Sequence, residues 1–138
     1  EQVVGGYPPE DLVQWQGFVD RQWMELSRFA LETAALPMVS VLGVAVAHQG
    51  LRYNCAAVVA GGAVRGLVPK EKLPTYNIFY EGRTFAQGRA GMAESFLPPG
   101  GGAPVPLGDF LFRFDFGVLA TEVCEDLWSA DGPLRRRA

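Results

Sequence analysis

The sequence predicts an α/β fold, and three observations carry that reading. One long segment steps its apolar residues by three or four, and three short valine-rich runs follow it. Two of those runs meet at Gly61-Gly62, and all three are apolar almost without interruption. The first pattern is that of a helix with one face on a core, and the second is that of strands joined by a tight turn. The third marks strands covered on both faces, as in layered α/β proteins.

The elements follow in order. Tyr7-Pro8-Pro9-Glu10-Asp11 predicts a turn feeding a helix, because proline suits a helix start and carboxylates complement its positive end. Leu12, Trp15, Val19, Trp23, Leu26, Ala30 and Ala34 form the apolar stripe of that helix. Asp20, Arg21, Glu25, Arg28 and Glu32 supply its wet side, and Pro37 closes it. Met38 to Ala47 predicts a first strand, ended by Gln49-Gly50. Leu51 to Ala60 predicts a second and Ala63 to Val68 a third, with Gly61-Gly62 as the hairpin turn.

Beyond Pro69 the pattern is less regular. Residues 69–87 are mixed and rich in aromatics, and Ala93 to Pro106, with Pro98-Pro99-Gly100-Gly101-Gly102, reads as an exposed loop. Phe110 to Phe114 is a short apolar run. Phe116 to Val123 predicts a last strand that ends at Cys124-Glu125-Asp126.

Composition narrows the chemistry. The chain has 138 residues, 49% hydrophobic and 20% charged, which suits one globular domain and argues against disorder. A net charge of -3 argues against a nucleic-acid surface, and the run Arg135-Arg136-Arg137 reads as a solvated helix face. His48 is the single histidine, so a multi-histidine metal site is excluded. Cys55 and Cys124 are too few for a zinc framework or a disulfide scaffold. No apolar run is long enough for a membrane span, and no signal-peptide pattern is present. The expected setting is therefore cytoplasmic, with no membrane partner and no nucleic-acid partner.

In open α/β sheets, functional side chains gather where strands end. Lys70 stands two residues past a predicted strand, Cys124 ends another, and Glu1 precedes the Gly5-Gly6-Tyr7 turn. The two carboxylates after Cys124 raise a thiol pKa, so a reactive thiol there needs a nearby cation. His48 ends a strand beside Gln49-Gly50, which reads as a surface turn. The lysines lie only at 70 and 72, so a Cys-Lys-Glu constellation is what the composition leaves open. A small buried hydrophobe is the alternative for Cys124, and a charged surface loop with a few buried aromatics is the alternative for residues 70–85. Cys55, mid-strand in Tyr53-Asn54-Cys55-Ala56-Ala57-Val58, reads as packing.

Four blocks in order resemble the nitrilase (carbon-nitrogen hydrolase) superfamily. They are Glu1 through Gly6-Tyr7-Pro8-Pro9-Glu10-Asp11-Leu12, Asn54-Cys55-Ala56-Ala57-Val58, the Lys70 to Phe85 stretch, and Glu122-Val123-Cys124-Glu125-Asp126-Leu127-Trp128. Within the superfamily they are most similar to the glutaminase domains of glutamine-dependent NAD⁺ synthetases. The resemblance runs from Glu1 to about Pro133.

It implies part of a four-layer α-β-β-α sandwich, with residues 1–138 a partial glutaminase domain and no second domain present. It implies a Glu-Lys-Cys triad: Glu1 as general base, Lys70 as the catalytic cation and Cys124 as nucleophile. It further implies Glu81 as a supporting carboxylate, Tyr76 as a wall of the glutamine pocket and Glu125 as a partner for the substrate amino group. The implied reaction is hydrolysis of the L-glutamine side-chain amide to glutamate and ammonia, with no cofactor and no metal for that step. ATP and deamido-NAD⁺ would be used by a synthetase domain of the same parent chain, absent here, and the full-length protein is expected to be a homo-oligomer. Three positions depart from the family pattern: Gln2 and Gly5 stand where Leu and Thr are usual, and Gly82 replaces a commonly charged residue. A stand-alone amidase acting on another small amide, or an inactive structural fragment, are the competing readings. On this view 138 residues span from a general base to just past a nucleophile, and the piece alone is expected to be inactive.

Overall fold

The computed structural model describes residues 1–138 as an α/β structure with two sheets of unequal size. A 3₁₀ turn, Glu10–Gln14, leads into helix α1, Gln16–Glu32. Strands β1 (Val39–His48), β2 (Leu51–Ala60) and β3 (Ala63–Pro69) follow as an antiparallel meander. Short strands β4 (Ala93–Phe96) and β5 (Val105–Gly108) complete a five-stranded mixed sheet in the order β1-β2-β3-β5-β4. Strand β5 runs parallel to β3 through Leu67 and Leu107. Strands β6 (Phe112–Phe114) and β7 (Gly117–Leu119) form a separate two-stranded sheet. Single turns of helix stand at α2 (Glu81–Thr84), α3 (Glu125–Trp128) and α4 (Leu134–Arg137). No helix is long and apolar enough to cross a membrane.

The two hairpins of the meander are set by turn chemistry. Gly61 and Gly62 both have positive φ, and Ala60 pairs with Ala63 directly across them. Two-residue turns of this kind match the twist of the strands they join. Gln49-Gly50 does the same work between β1 and β2, where His48 pairs with Leu51.

The pleat divides the core. Val44, Val46, Tyr53, Cys55, Ala57 and Val59 face α1 and pack with its Trp23, Leu26 and Ala30. Ala45, one residue out of phase, faces the other way and packs with Val13 of the 3₁₀ turn and Phe85 after α2. Strand β2 is buried at seven consecutive positions, Tyr53 to Val59, because both of its faces are covered. The sheet also curls: His48 on one edge strand lies 3.9 Å from Glu94 on the other. Trp23 meets Phe96 edge-on at 4.9 Å, which fills the inside of the curl.

Several expectations need correction. The predicted helix is broken at Trp15, whose extended backbone separates the 3₁₀ turn from α1. The segment 93–106 is not only a loop; it contains β4 and the start of β5. Pro106 inside β5 hides that strand from a sequence reading, since proline argues against a sheet interior. Phe116 to Val123 is not one strand: β7 ends at Leu119 once its three pairs with β6 are made. After it the backbone serves other partners, with Val123 N–H donating to Asp126 and Thr121 C=O accepting from Arg137. The run 135–137 is not simply a solvated face: Arg136 stays partly exposed, and the Arg137 side chain is buried. The guanidinium groups of Arg136 and Arg137 both bind Glu71 and Asp109.

Candidate active site

The chemistry gathers on the sheet face opposite α1, around a buried lysine. Lys70 leaves the end of β3, its backbone N–H donating to Asn54 C=O at 2.8 Å and its C=O accepting from Gly88 at 2.8 Å. Those two bonds turn the side chain inward, where Lys70 has no solvent exposure at all. Its Nζ lies 2.5 Å from Glu1 Oε1 and 2.9 Å from Glu81 Oε2. An ammonium has three donors, and two are directed at these carboxylates.

Glu1 is brought in by close packing of backbones. Residues 1 and 2 lie directly on Gly43 of β1, where any Cβ would strike the Gln2 amide, and Val4 N–H donates to Gly43 C=O at 3.1 Å. Asn54 Nδ2 then donates to Glu1 Oε1 at 2.7 Å. Glu81 opens α2, with its N–H on Pro74 C=O at 3.1 Å, and Tyr7 OH donates to its Oε1 at 3.2 Å. Cys124 precedes α3 with φ 49 and ψ -103, and it is exposed. Over the same region Tyr76 OH donates to Glu125 Oε2 at 2.8 Å.

The charges are coupled. Burial alone would depress the Lys70 ammonium, but its hydrogen bonds to Glu1 and Glu81 outweigh that and hold it above the usual lysine value. Burial pushes the Glu1 carboxyl up; Lys70, Cys124 and Asn54 outweigh this and hold it below its ordinary value. Glu81 moves the other way, raised by burial and by the nearby Glu1 charge against the pull of Lys70. The Cys124 thiol is raised by desolvation and by Glu1, and Lys70 only partly opposes them. The nearby cation pulls the thiol down, as expected, but burial and Glu1 outweigh it. The resting site holds a protonated thiol beside an ionised Glu1. Desolvation and Glu81 likewise raise the Tyr7 hydroxyl, and the bond to Glu125 raises that of Tyr76.

The structure thus gathers Glu1, Lys70, Glu81 and Cys124, with Tyr76 and Glu125 paired at the rim. Cys55 is wholly buried, and burial pushes its thiol up, so it is packing and not a second nucleophile. A pocket of about 310 Å³ opens alongside, between residues 7–11 and 78–85. It touches the cluster through Glu81 but is not lined by Cys124, so it is not where a bond to the thiol would form. No cluster of three metal-ligating side chains is present, and the cation between the two carboxylates is the lysine.

Sequence reasoning missed Asn54 as a site residue, and also Tyr7 and Gly43. Asn54 carried a signal, being the one polar side chain within the apolar run 53–59. Gly43 carried one too, as a glycine inside a strand marks close approach of another backbone.

A thiol, a carboxylate able to take its proton and a fixed cation make a site suited to acyl transfer on an amide. Known proteins match this chain over nearly its whole length. The chain is 37% identical over 132 residues to the glutamine-dependent NAD(+) synthetase of Mycobacterium tuberculosis, a match covering 93% of this chain and 19% of that protein. It is 33% identical over 131 residues to that of Xylella fastidiosa, covering 95% of this chain and 21% of the relative. The crystal structure of a glutamine-dependent NAD(+) synthetase from Cytophaga hutchinsonii superimposes with a TM-score of 0.80 at 26% identity, over 87% of this chain and 20% of that one. The chain spans about a fifth of the length of the curated relatives it matches. No family model matches it.

Proposed function

We propose that this chain is the catalytic part of a glutaminase domain of the carbon-nitrogen hydrolase type, from a glutamine-dependent NAD⁺ synthetase. Its two sheets would be the inner layers of that family's α-β-β-α sandwich. The observation that carries the reading is the buried Lys70 ammonium held between Glu1 and Glu81 beside the Cys124 thiol.

Cys124 Sγ attacks the side-chain amide carbon of L-glutamine while Glu1 takes the thiol proton. With the resting thiol raised and Glu1 depressed, proton loss is unfavourable before attack, so transfer accompanies formation of the C–S bond. The charge that develops on the amide oxygen faces the Lys70 ammonium. Glu1 then gives the proton to the departing nitrogen, and ammonia leaves from a thioester. A water, deprotonated by Glu1, attacks the thioester, and glutamate leaves as the thiol is restored. Glu81 shares the charge of Lys70 and keeps it from pairing with Glu1 alone. The Tyr76–Glu125 pair offers a hydroxyl and a carboxylate for the substrate's α-amino end, which favours glutamine over simple amides. In the parent protein the ammonia would amidate deamido-NAD⁺ at the expense of ATP, on a synthetase domain.

The test is trapping in the full-length parent protein with a glutamine-directed electrophile. One label on Cys124, with loss of both label and glutamate release in Cys124→Ala, is the expected result. A label that persists in that variant overturns the mechanism. Equal turnover of glutamine and of small amides lacking an α-amino group favours the general amidase instead.

A further inference from the structure

One buried carboxylate outside the proposed triad joins the two loops that carry its cation and its nucleophile. Asp126 is 2% exposed. Its Oδ1 accepts from the backbone N–H groups of Glu71 at 3.1 Å and Lys72 at 2.8 Å. Its Oδ2 accepts from Val123 N–H at 3.1 Å. Glu71 follows Lys70, and Val123 precedes Cys124, so a single planar group spans both loops.

Few other contacts join those loops, and none of them is made by the main chain of both. Strand β3 ends at Pro69, and residues 120–124 belong to no strand. No backbone–backbone hydrogen bond joins 70–72 to 120–126. Of the remaining ties, Tyr76 to Glu125, Lys72 to Asp131 and Arg136 to Glu71 run through long, partly exposed side chains that can swing, while the buried Arg137 side chain links Glu71 to Thr121 C=O upstream of Cys124. A carboxylate bonded to three main-chain N–H groups has no such freedom, and charge assistance strengthens each bond.

We infer that Asp126 is a positioning residue that sets the separation of the Lys70 ammonium and the Cys124 thiol. This rests on the glutaminase reading above. Asparagine at 126 keeps the size but turns one acceptor into a donor, so it cannot serve both loops. Serine shortens the reach and keeps one acceptor.

The experiment uses the full-length parent protein. In Asp126→Asn, kcat for glutamine falls about 10- to 100-fold with KM little changed, the scale of a small misplacement of reacting groups. The pH profile of Cys124 alkylation by iodoacetamide moves to higher pH as the thiol loses the ammonium beside it. That profile needs no substrate, so it reads Asp126 even if the protein does not hydrolyse glutamine. Absence of turnover in the unaltered protein would count against the glutaminase reading alone. A folded Asp126→Asn with the unaltered protein's alkylation profile overturns the inference. Should Asp126→Asn not fold, Asp126→Ser is read the same way. Hydrogen exchange in the unaltered protein also decides: the Glu71, Lys72 and Val123 amides are expected to be protected together. Free exchange of all three overturns the tie.

Discussion

Lys70 Nζ lies 2.5 Å from Glu1 Oε1 although 69 positions separate the two residues. The chain spends a helix and three strands to bring them together, and neither charge is tenable there without the other.

Removing the cation alone should therefore be costly. Lys70→Met leaves Glu1 and Glu81 facing each other, and stability at neutral pH is expected to fall by about 3 kcal/mol or more. Since the folded Glu1 sits below its usual 4.5, it stabilises above that pH and stops doing so as pH falls through the folded value. The variant has no such contribution to lose, so the gap narrows in acid. Urea unfolding at pH 7 and near pH 4 measures this, and a gap independent of pH would contradict it.

Asn54 adds to the larger pull of Lys70 that lowers the Glu1 carboxyl. Asn54→Ala removes the 2.7 Å bond, lets the Glu1 carboxyl rise and shifts the acid limb of kcat/KM to higher pH. The buried site also costs about 1–3 kcal/mol of stability. A variant with the acid limb unmoved would show that Asn54 only packs.

Gly43 is needed for its missing side chain. A methyl there would lie 2.6 Å from the Glu1 carbonyl carbon, so Gly43→Ala pushes residues 1 and 2 off the strand. Strand β1 keeps its pairing with β2, and the melting transition should stay cooperative. Turnover is expected to drop on the order of 100-fold. Retained turnover would mean that the segment carrying Glu1 and Gln2 finds another path.

The Arg136–Arg137 anchor should be acid-labile. Burial pushes the Asp109 carboxyl up, but the Gly91 N–H and the Arg137 and Arg136 guanidinium groups outweigh it and lower it below its usual 3.8. A depressed carboxyl stabilises above its unfolded value and ceases to as pH falls through its folded one. Asp109→Asn should thus be less stable at neutral pH, with the difference shrinking below about pH 4. Comparing urea midpoints of the two proteins across pH measures it.

What could be read from the sequence followed local physics. The α1 stripe from Val19 to Ala30, the two-residue turns and the doubly buried β2 all depend on neighbours in sequence and stand where periodicity and glycines put them, whereas Leu12 and Trp15 of the expected stripe are exposed and precede α1. The shorter strands did not: β5 holds a proline and pairs through one residue with β3, which only tertiary contact provides. The basic run 135–137 failed for the same reason, since its partners Glu71 and Asp109 are remote in sequence. At the site, residue types suggested a thiol, a lysine and a carboxylate. The ionisation order was not legible, because Asn54, Glu81 and depth of burial decide it together.

The backbone at Cys124 has one more consequence. Its φ of 49 with ψ of -103 is a conformation that side-chain-bearing residues rarely adopt. A glycine at 124 would relax it and should raise the melting temperature while abolishing chemistry. Selection for robustness alone would therefore drift away from the reactive residue. Keeping a cysteine at this position therefore carries a cost in backbone strain that only a use for its thiol would offset.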